Sequence, residues 1–274
     1  MSVTDKASSF PAAVIILALR VLILFKIRKH DIKHLWWIPA GASFMATSWV
    51  AKTVGAFRPP KDKLYWAFAA TLFDGFGPYF LAIGWWRVYT TLVLNKLPRT
   101  NDPLKDLPSS KQRRLCKAIL WMSVLLHYYG VTRMYMYRNG QPIDTLRANY
   151  IRQHAPWLFL GTIILTLTKV IRFTYLTTFH PARRFKSHEL NARIYLWLTC
   201  VAYVSLFLQT VYRAAMWSPT LYTSLRTWLR VHEWMQSCWW LQWLFEVLPT
   251  VVLLAPFVFG DLLPTLATPR GNNE

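Results

Sequence analysis

A chain of 274 residues, 54% apolar and 16% aromatic, with its apolar residues gathered into long runs, is too hydrophobic for one water-soluble domain. Its net charge of +20 does not indicate nucleic acid, because Lys and Arg lie between the apolar runs instead of forming one basic domain. The composition reads as an all-α, single-domain polytopic membrane protein whose cations set its orientation and meet anionic headgroups. Cys116, Cys200 and Cys238 show no C-x-x-C spacing, so neither a metal site nor a disulfide framework is expected. No N-x-S/T sequon occurs.

Seven segments approach the roughly 20 apolar residues needed to cross a bilayer. The first, 10–27, runs into the basic stretch 26–33; Arg20 interrupts it and no small-residue cleavage site follows, so it reads as a retained span. The second, 35–57, opens with Trp36-Trp37 and carries Lys52, and the third, 64–86, carries Asp74 and continues as amphipathic helix to Leu94. A polar, proline-rich stretch, 97–114, is the candidate linker. The fourth span, 115–137, is the least hydrophobic; the fifth is 156–178, the sixth 194–216 and the last 238–263. Basic residues are more numerous on the face that holds the first, third and fifth loops and the C-terminus, which the positive-inside rule places in the cytosol.

Arg20, Lys52, Asp74, Arg87, Arg133, Lys169, Arg172, Arg213, Glu246 and Asp261 fall inside apolar segments. An unpaired charge at the bilayer centre costs about 2.5–3.5 kcal/mol on insertion scales, so each must snorkel, pair or line a polar cavity. Arg87, Arg172, Arg213 and Asp261 lie near segment ends, where snorkelling suffices. Asp74, Lys169 and Glu246 lie deeper. Either acid could neutralise Lys52 or Lys169 as an internal ion pair, or line a polar chamber for a substrate.

The stretch 217–240, WSPTLYTSLRTWLRVHEWMQSCWW, places six aromatic residues, two arginines and a His-Glu pair between two apolar spans. Leu221, Leu225, Trp228, Leu229 and His232 recur at helical spacing, while Arg226, Arg230 and Glu233 fall on another side. That pattern predicts a short amphipathic helix at the membrane surface. The wording Trp217-x-Pro219, then Thr223-Ser224-Leu225-Arg226, Trp228 and His232, resembles a signature of the wax-synthase-like membrane acyltransferases, many of them fungal. A second stretch, 128–142, resembles another motif of that family through Gly130, Val131, Tyr135, Asn139 and Pro142. As bare chemistry it is a helix exit into a tight turn at Asn139-Gly140.

The resemblance covers about residues 60–240 and implies acyl transfer from acyl coenzyme A, as co-substrate, to a lipophilic alcohol such as a terpenoid, sterol or long-chain alcohol. It implies residence in the endoplasmic reticulum or another endomembrane. Such chemistry needs a base for the hydroxyl proton in a water-poor site. The candidate base is His232, with Arg226 and Arg230 for the phosphates of coenzyme A, and Asn139, Asp74 and Glu246 lining a substrate chamber. That family places a further histidine beyond the motif; none follows His232 here, which implies a truncated or inactive member. The order Tyr212-Arg213, His232-Glu233, Phe245-Glu246 and Pro249 also resembles the seven-span fungal lipid-translocating exporters, which implies lipid transport instead.

Overall fold

In the computed structural model the described residues, 3–58, 60–95, 110–136, 142–179 and 190–267, form helices and short connections, with no strand among them. Helices α1 (Val3–Lys29), α2 (Trp37–Phe57), α3 (Pro60–Asn95), α4 (Ser110–Met136), α5 (Pro142–Arg152), α6 (His154–Phe179) and α7 (Leu190–Trp217) precede a short α8 (Leu225–Ser237). The final segment is interrupted. Its α9 (Trp239–Gln242) passes through a π-helical turn (Trp243–Val247) into α10 (Leu248–Phe259), and α11 (Leu262–Ala267) follows.

The architecture is the all-α polytopic bundle that the sequence suggests. Among the described residues, six segments are long and apolar enough to cross a membrane: Ser9–Lys29, Tyr65–Val93, Arg114–Arg133, Arg147–Phe179, Arg193–Trp217 and Trp239–Phe259. The seventh expected span is α2, which has 21 residues, carries Lys52 and falls outside these six. Residues 110–114, read above as the end of a linker, begin α4, while 97–109 lie outside the described residues. Helix α5 has no counterpart among the expected elements; Pro142 stands at its first position, where the fixed φ of proline suits a helix start.

Helix α1 ends in a reversal that local chemistry dictates. Asp31 adopts a left-handed φ of 48°, Asp31 N–H donates to Arg28 O and Ile32 N–H to Ile27 O, each at 3.2 Å. Ile27 and Ile32 are both buried, which completes the hydrophobic contact of such a cap. The chain then returns along α1 as α2.

Hydrocarbon burial does not drive helices together in lipid, so close packing must. The α2–α3 contact is the most extensive in the bundle, and small residues permit it. A Cβ added at Gly41 would lie 2.8 Å from Leu81 Cγ and 2.9 Å from Leu81 N. The last segment packs against α1 and α7. Trp85, fully buried on α3, donates Nε1–H to Leu253 O at 3.2 Å and meets the Phe257 ring edge-on at 5.1 Å, which ties α3 to α10.

Candidate functional site

On α7, Gln209, Tyr212, Arg213, Met216 and Trp217 follow the i, i+3, i+4, i+7 rhythm of one helical face, and all five are buried. That face meets α2, α3 and the π-helical turn. Arg213 Nη2 donates to Asp74 Oδ1 on α3 at 2.9 Å, with both residues only 4% exposed. From α2, Lys52 Nζ bonds Glu246 Oε2 at 3.0 Å and rests over the Trp49 ring, 4.1 Å from its centroid. The pairs also act on each other, Lys52 attracting Asp74 and Arg213 attracting Glu246. Four opposite charges therefore cancel inside the bundle.

The π-helical turn shapes this centre. It inserts a residue into the helical ladder and lets carbonyls take side-chain partners. Glu246 O accepts from Gln209 Nε2 at 2.9 Å and from Thr250 Oγ1 at 2.6 Å, and Gln209 Nε2 also reaches Thr250 Oγ1 at 2.8 Å. The Tyr212 ring stacks on Phe245, 5.3 Å between centroids and 8° from parallel.

His127, fully buried on α4, approaches from the opposite side. Its Nε2 lies 3.1 Å from Thr71 O; a carbonyl only accepts, so Nε2 carries the proton. The ring sits 5.0 Å from Trp217 and against Gly75, where a Cβ would overlap the imidazole. Glycine at 75 is what admits His127. Arg152, at the end of α5, lies over the Trp217 ring at 4.1 Å, with the Arg213 guanidinium at 5.9 Å. Gly130 has a packing role, since a Cβ there would meet Arg152 Cβ at 2.5 Å and Ala148 O at 3.1 Å.

The interfacial segment is strapped to the bundle by hydrogen bonds. Trp157 Nε1 donates to Ser218 Oγ at 2.9 Å, Thr220 Oγ1 to Gln153 Oε1 at 2.9 Å and Tyr222 Oη to Ala215 O at 3.0 Å. Ser224 caps α8, its Oγ accepting from Thr227 N–H at 3.1 Å. Carbonyls at the end of a helix have no partner within it, and Met216 O, at the end of α7, receives both Trp228 Nε1 and His232 Nδ1, each at 3.0 Å. The proton of His232 is therefore on Nδ1 and its lone pair on Nε2. Burial is the main force lowering the His232 pKa, opposed by the Met216 bond; Arg152 adds to the lowering and Glu233 opposes it. The ring is neutral at neutral pH.

The expected site residues divide between these two places. Asp74 and Glu246 meet in the buried centre, and Lys52–Glu246 is one of the internal pairs that the sequence suggested. Arg213 corrects an expectation: it does not snorkel but lies buried against Asp74, because its place in the α7 stripe turns it inward. Arg87, Arg172 and Asp261 are exposed, as snorkelling requires. His232 is half-buried on the α7 side of α8, whereas Arg226 and Arg230 are exposed on the opposite side of that helix, so the three do not converge. Leu221 lies outside α8, in a 3-10 turn (Pro219–Leu221). Asn139 lies outside the described residues. Sequence reasoning passed over His127 and Gln209, and met Tyr212 only within the exporter-like order. The polar stripe 209–212–213 was readable at helical spacing, but nothing local to His127 announces Gly75, 52 positions upstream.

The chain matches no protein-family model, no curated protein and no solved structure.

Proposed function

We propose that the protein carries an amphiphilic lipid through the bilayer and that the Asp74–Arg213 and Lys52–Glu246 centre receives the lipid's polar end. The observation behind this reading is the burial of two ion pairs, drawn from α2, α3, α7 and the interrupted last segment. Buried ion pairs are inferior to apolar packing as stabilisers, so their presence calls for another reason. Charges at membrane depth mark substrate or ion pathways, and interrupted helices with π-helical turns mark working sites. The resemblance to lipid-translocating exporters runs through Arg213 and Glu246, both members of this centre.

The test is reconstitution into liposomes carrying fluorescent lipids in one leaflet. Wild-type protein should accelerate transfer between leaflets, and Asp74→Asn/Arg213→Met, which strands neither charge, should remove the acceleration while leaving a folded protein. Transfer no faster than in protein-free liposomes, across sterol, glycerolipid and fatty-alcohol probes, overturns the reading.

One observation favours acyl transfer to a lipophilic alcohol as a second reading: His232 is held neutral with its lone pair on Nε2, as a general base requires. Ester formed from acetyl or palmitoyl coenzyme A by the wild type, and lost in His232→Ala, would support it. Ester formation unchanged in that variant removes His232 from the chemistry.

A further inference from the structure

Among the described residues, four polar atoms on and beside the inward face of α7 have no hydrogen-bond partner: Gln209 Oε1, Tyr212 Oη, Arg213 Nε and His127 Nδ1. Their residues are 0%, 4%, 4% and 0% exposed. Gln209, Tyr212 and Arg213 share the inward face of α7, and Trp217, two turns along the same stripe, is the residue His127 packs against. Native interiors leave few such groups unsatisfied, and several on one face call for an occupant.

The types of these atoms specify the occupant. Gln209 Oε1 only accepts, since both amide hydrogens point to Glu246 O and Thr250 Oγ1. His127 Nδ1 accepts, because Nε2 carries the proton toward Thr71 O. Arg213 Nε–H donates, and Tyr212 Oη does either. A phosphate or carboxylate, which only accepts, would set lone pair against lone pair at Gln209. An ammonium, which only donates, would leave Arg213 Nε–H unmet beside a guanidinium of like charge. The two ion pairs are already compensated. A hydroxyl donates once and accepts twice, and so answers the three α7 groups, donating to Gln209 Oε1 and accepting from Arg213 Nε–H and Tyr212 Oη; His127 Nδ1, beside Trp217 two turns along the stripe, lies beyond its reach. Phe245 and Met45 border the same face and offer hydrocarbon an apolar wall, Phe245 stacked on Tyr212 and Met45 Sδ 4.0 Å from Arg213 Nη2.

We propose that this α7 face, at Gln209, Tyr212 and Arg213, is a binding seat for the hydroxyl end of an uncharged lipid. The proposal rests on the carrier reading and narrows it from any amphiphile to neutral, hydroxyl-bearing ones.

A chain-matched series isolates the polar end: radiolabelled hexadecanol, palmitate, hexadecyl phosphate and hexadecylamine, titrated onto purified protein in nanodiscs. Hexadecanol should bind saturably and at least tenfold more tightly than the other three. Gln209→Leu and Tyr212→Phe should each weaken hexadecanol about tenfold; Tyr212→Phe, which keeps the stack on Phe245, should leave the melting temperature little changed, whereas Gln209→Leu also gives up the bonds to Glu246 O and Thr250 Oγ1 and should lower it. Tighter binding of a charged member overturns the ligand class. Absence of saturable hexadecanol binding, or binding that both variants leave unchanged, means that water alone fills the seat and overturns the proposal. Leaflet transfer is measured on the same preparations. Transfer of charged lipids alone would keep the carrier reading and reject the hydroxyl seat; hexadecanol binding without any transfer would keep the seat and reject the carrier.

Discussion

Asp74 and Arg213 permit a quantitative test of the buried centre. They face each other at 2.9 Å with 4% of each residue exposed, so neither charge has bulk water to fall back on when its partner is removed. Asp74→Asn strands a guanidinium and Arg213→Met strands a carboxylate; breaking a buried pair from one side costs about 3–5 kcal/mol. Replacing both partners together removes the attraction and both desolvation penalties, so Asp74→Asn/Arg213→Met should unfold within about 1 kcal/mol of the wild type. The coupling, the sum of the single losses minus the double loss, should exceed about 3 kcal/mol. Denaturation by a graded mole fraction of SDS in mixed micelles, followed by tryptophan fluorescence, measures all four corners of the cycle. Single losses below about 1 kcal/mol, the range of solvent-exposed pairs, would refute the claim that these charges are sequestered. A folded double variant also separates architecture from work: it should be stable and yet inactive in lipid transfer.

Three further outcomes are expected. Gly75→Ala forces a methyl into the His127 ring, and overpacking of about 1–3 kcal/mol plus loss of the Thr71 bond, about 1 kcal/mol, should lower the melting temperature; an unchanged transition would mean that His127 is not held there. Ser224→Ala removes the cap of α8, worth about 1 kcal/mol, and should speed amide exchange in 225–237 roughly fivefold while the membrane helices stay protected. The lowered pKa of His232 means that the docked state favours the neutral ring. Docking of α8 is therefore complete above the ordinary histidine value near about 6.5 and is lost as pH falls through the lowered one. Tryptophan fluorescence, which reports Trp228 through its bond to Met216 O, should change on acidification, and the change should vanish in His232→Asn. A flat profile in the wild type between pH 7 and 5 would refute this account.

The helices were legible because span length and apolarity are local properties of the chain. Segments such as 156–178 and 194–216 lie within α6 and α7 for that reason. Lys52–Glu246 was one of the pairings left open between two acids and two lysines, foreseen because charges inside apolar runs must be compensated. The choice of partner for Asp74 was not legible. It depended on which way the last turns of α7 face, and Arg213, three residues from the end of the span 194–216, looked free to reach water. The same applies to α8. Its amphipathic pattern was clear, but that His232 reaches back to Met216 O while Arg226 and Arg230 point away follows from the angle at which Pro219 and Ser224 set the helix down.

A π-helical turn is, in sequence terms, one residue more than an α-helix requires. Trp243–Val247 therefore absorbs an extra residue while the segment before it and α10 stay nearly in phase. Losing a single residue there would let the segment relax into continuous α-helix with its flanking turns close to their original orientation, so that only the turn itself is lost. Glu246 O, which the turn frees for Gln209 Nε2, would return to the helical ladder, and the centre would lose that bond without any change in the chemistry of the chain. The centre should thus tolerate many substitutions at 243–245 more readily than a one-residue deletion, so that chain length in this turn is under tighter constraint than composition.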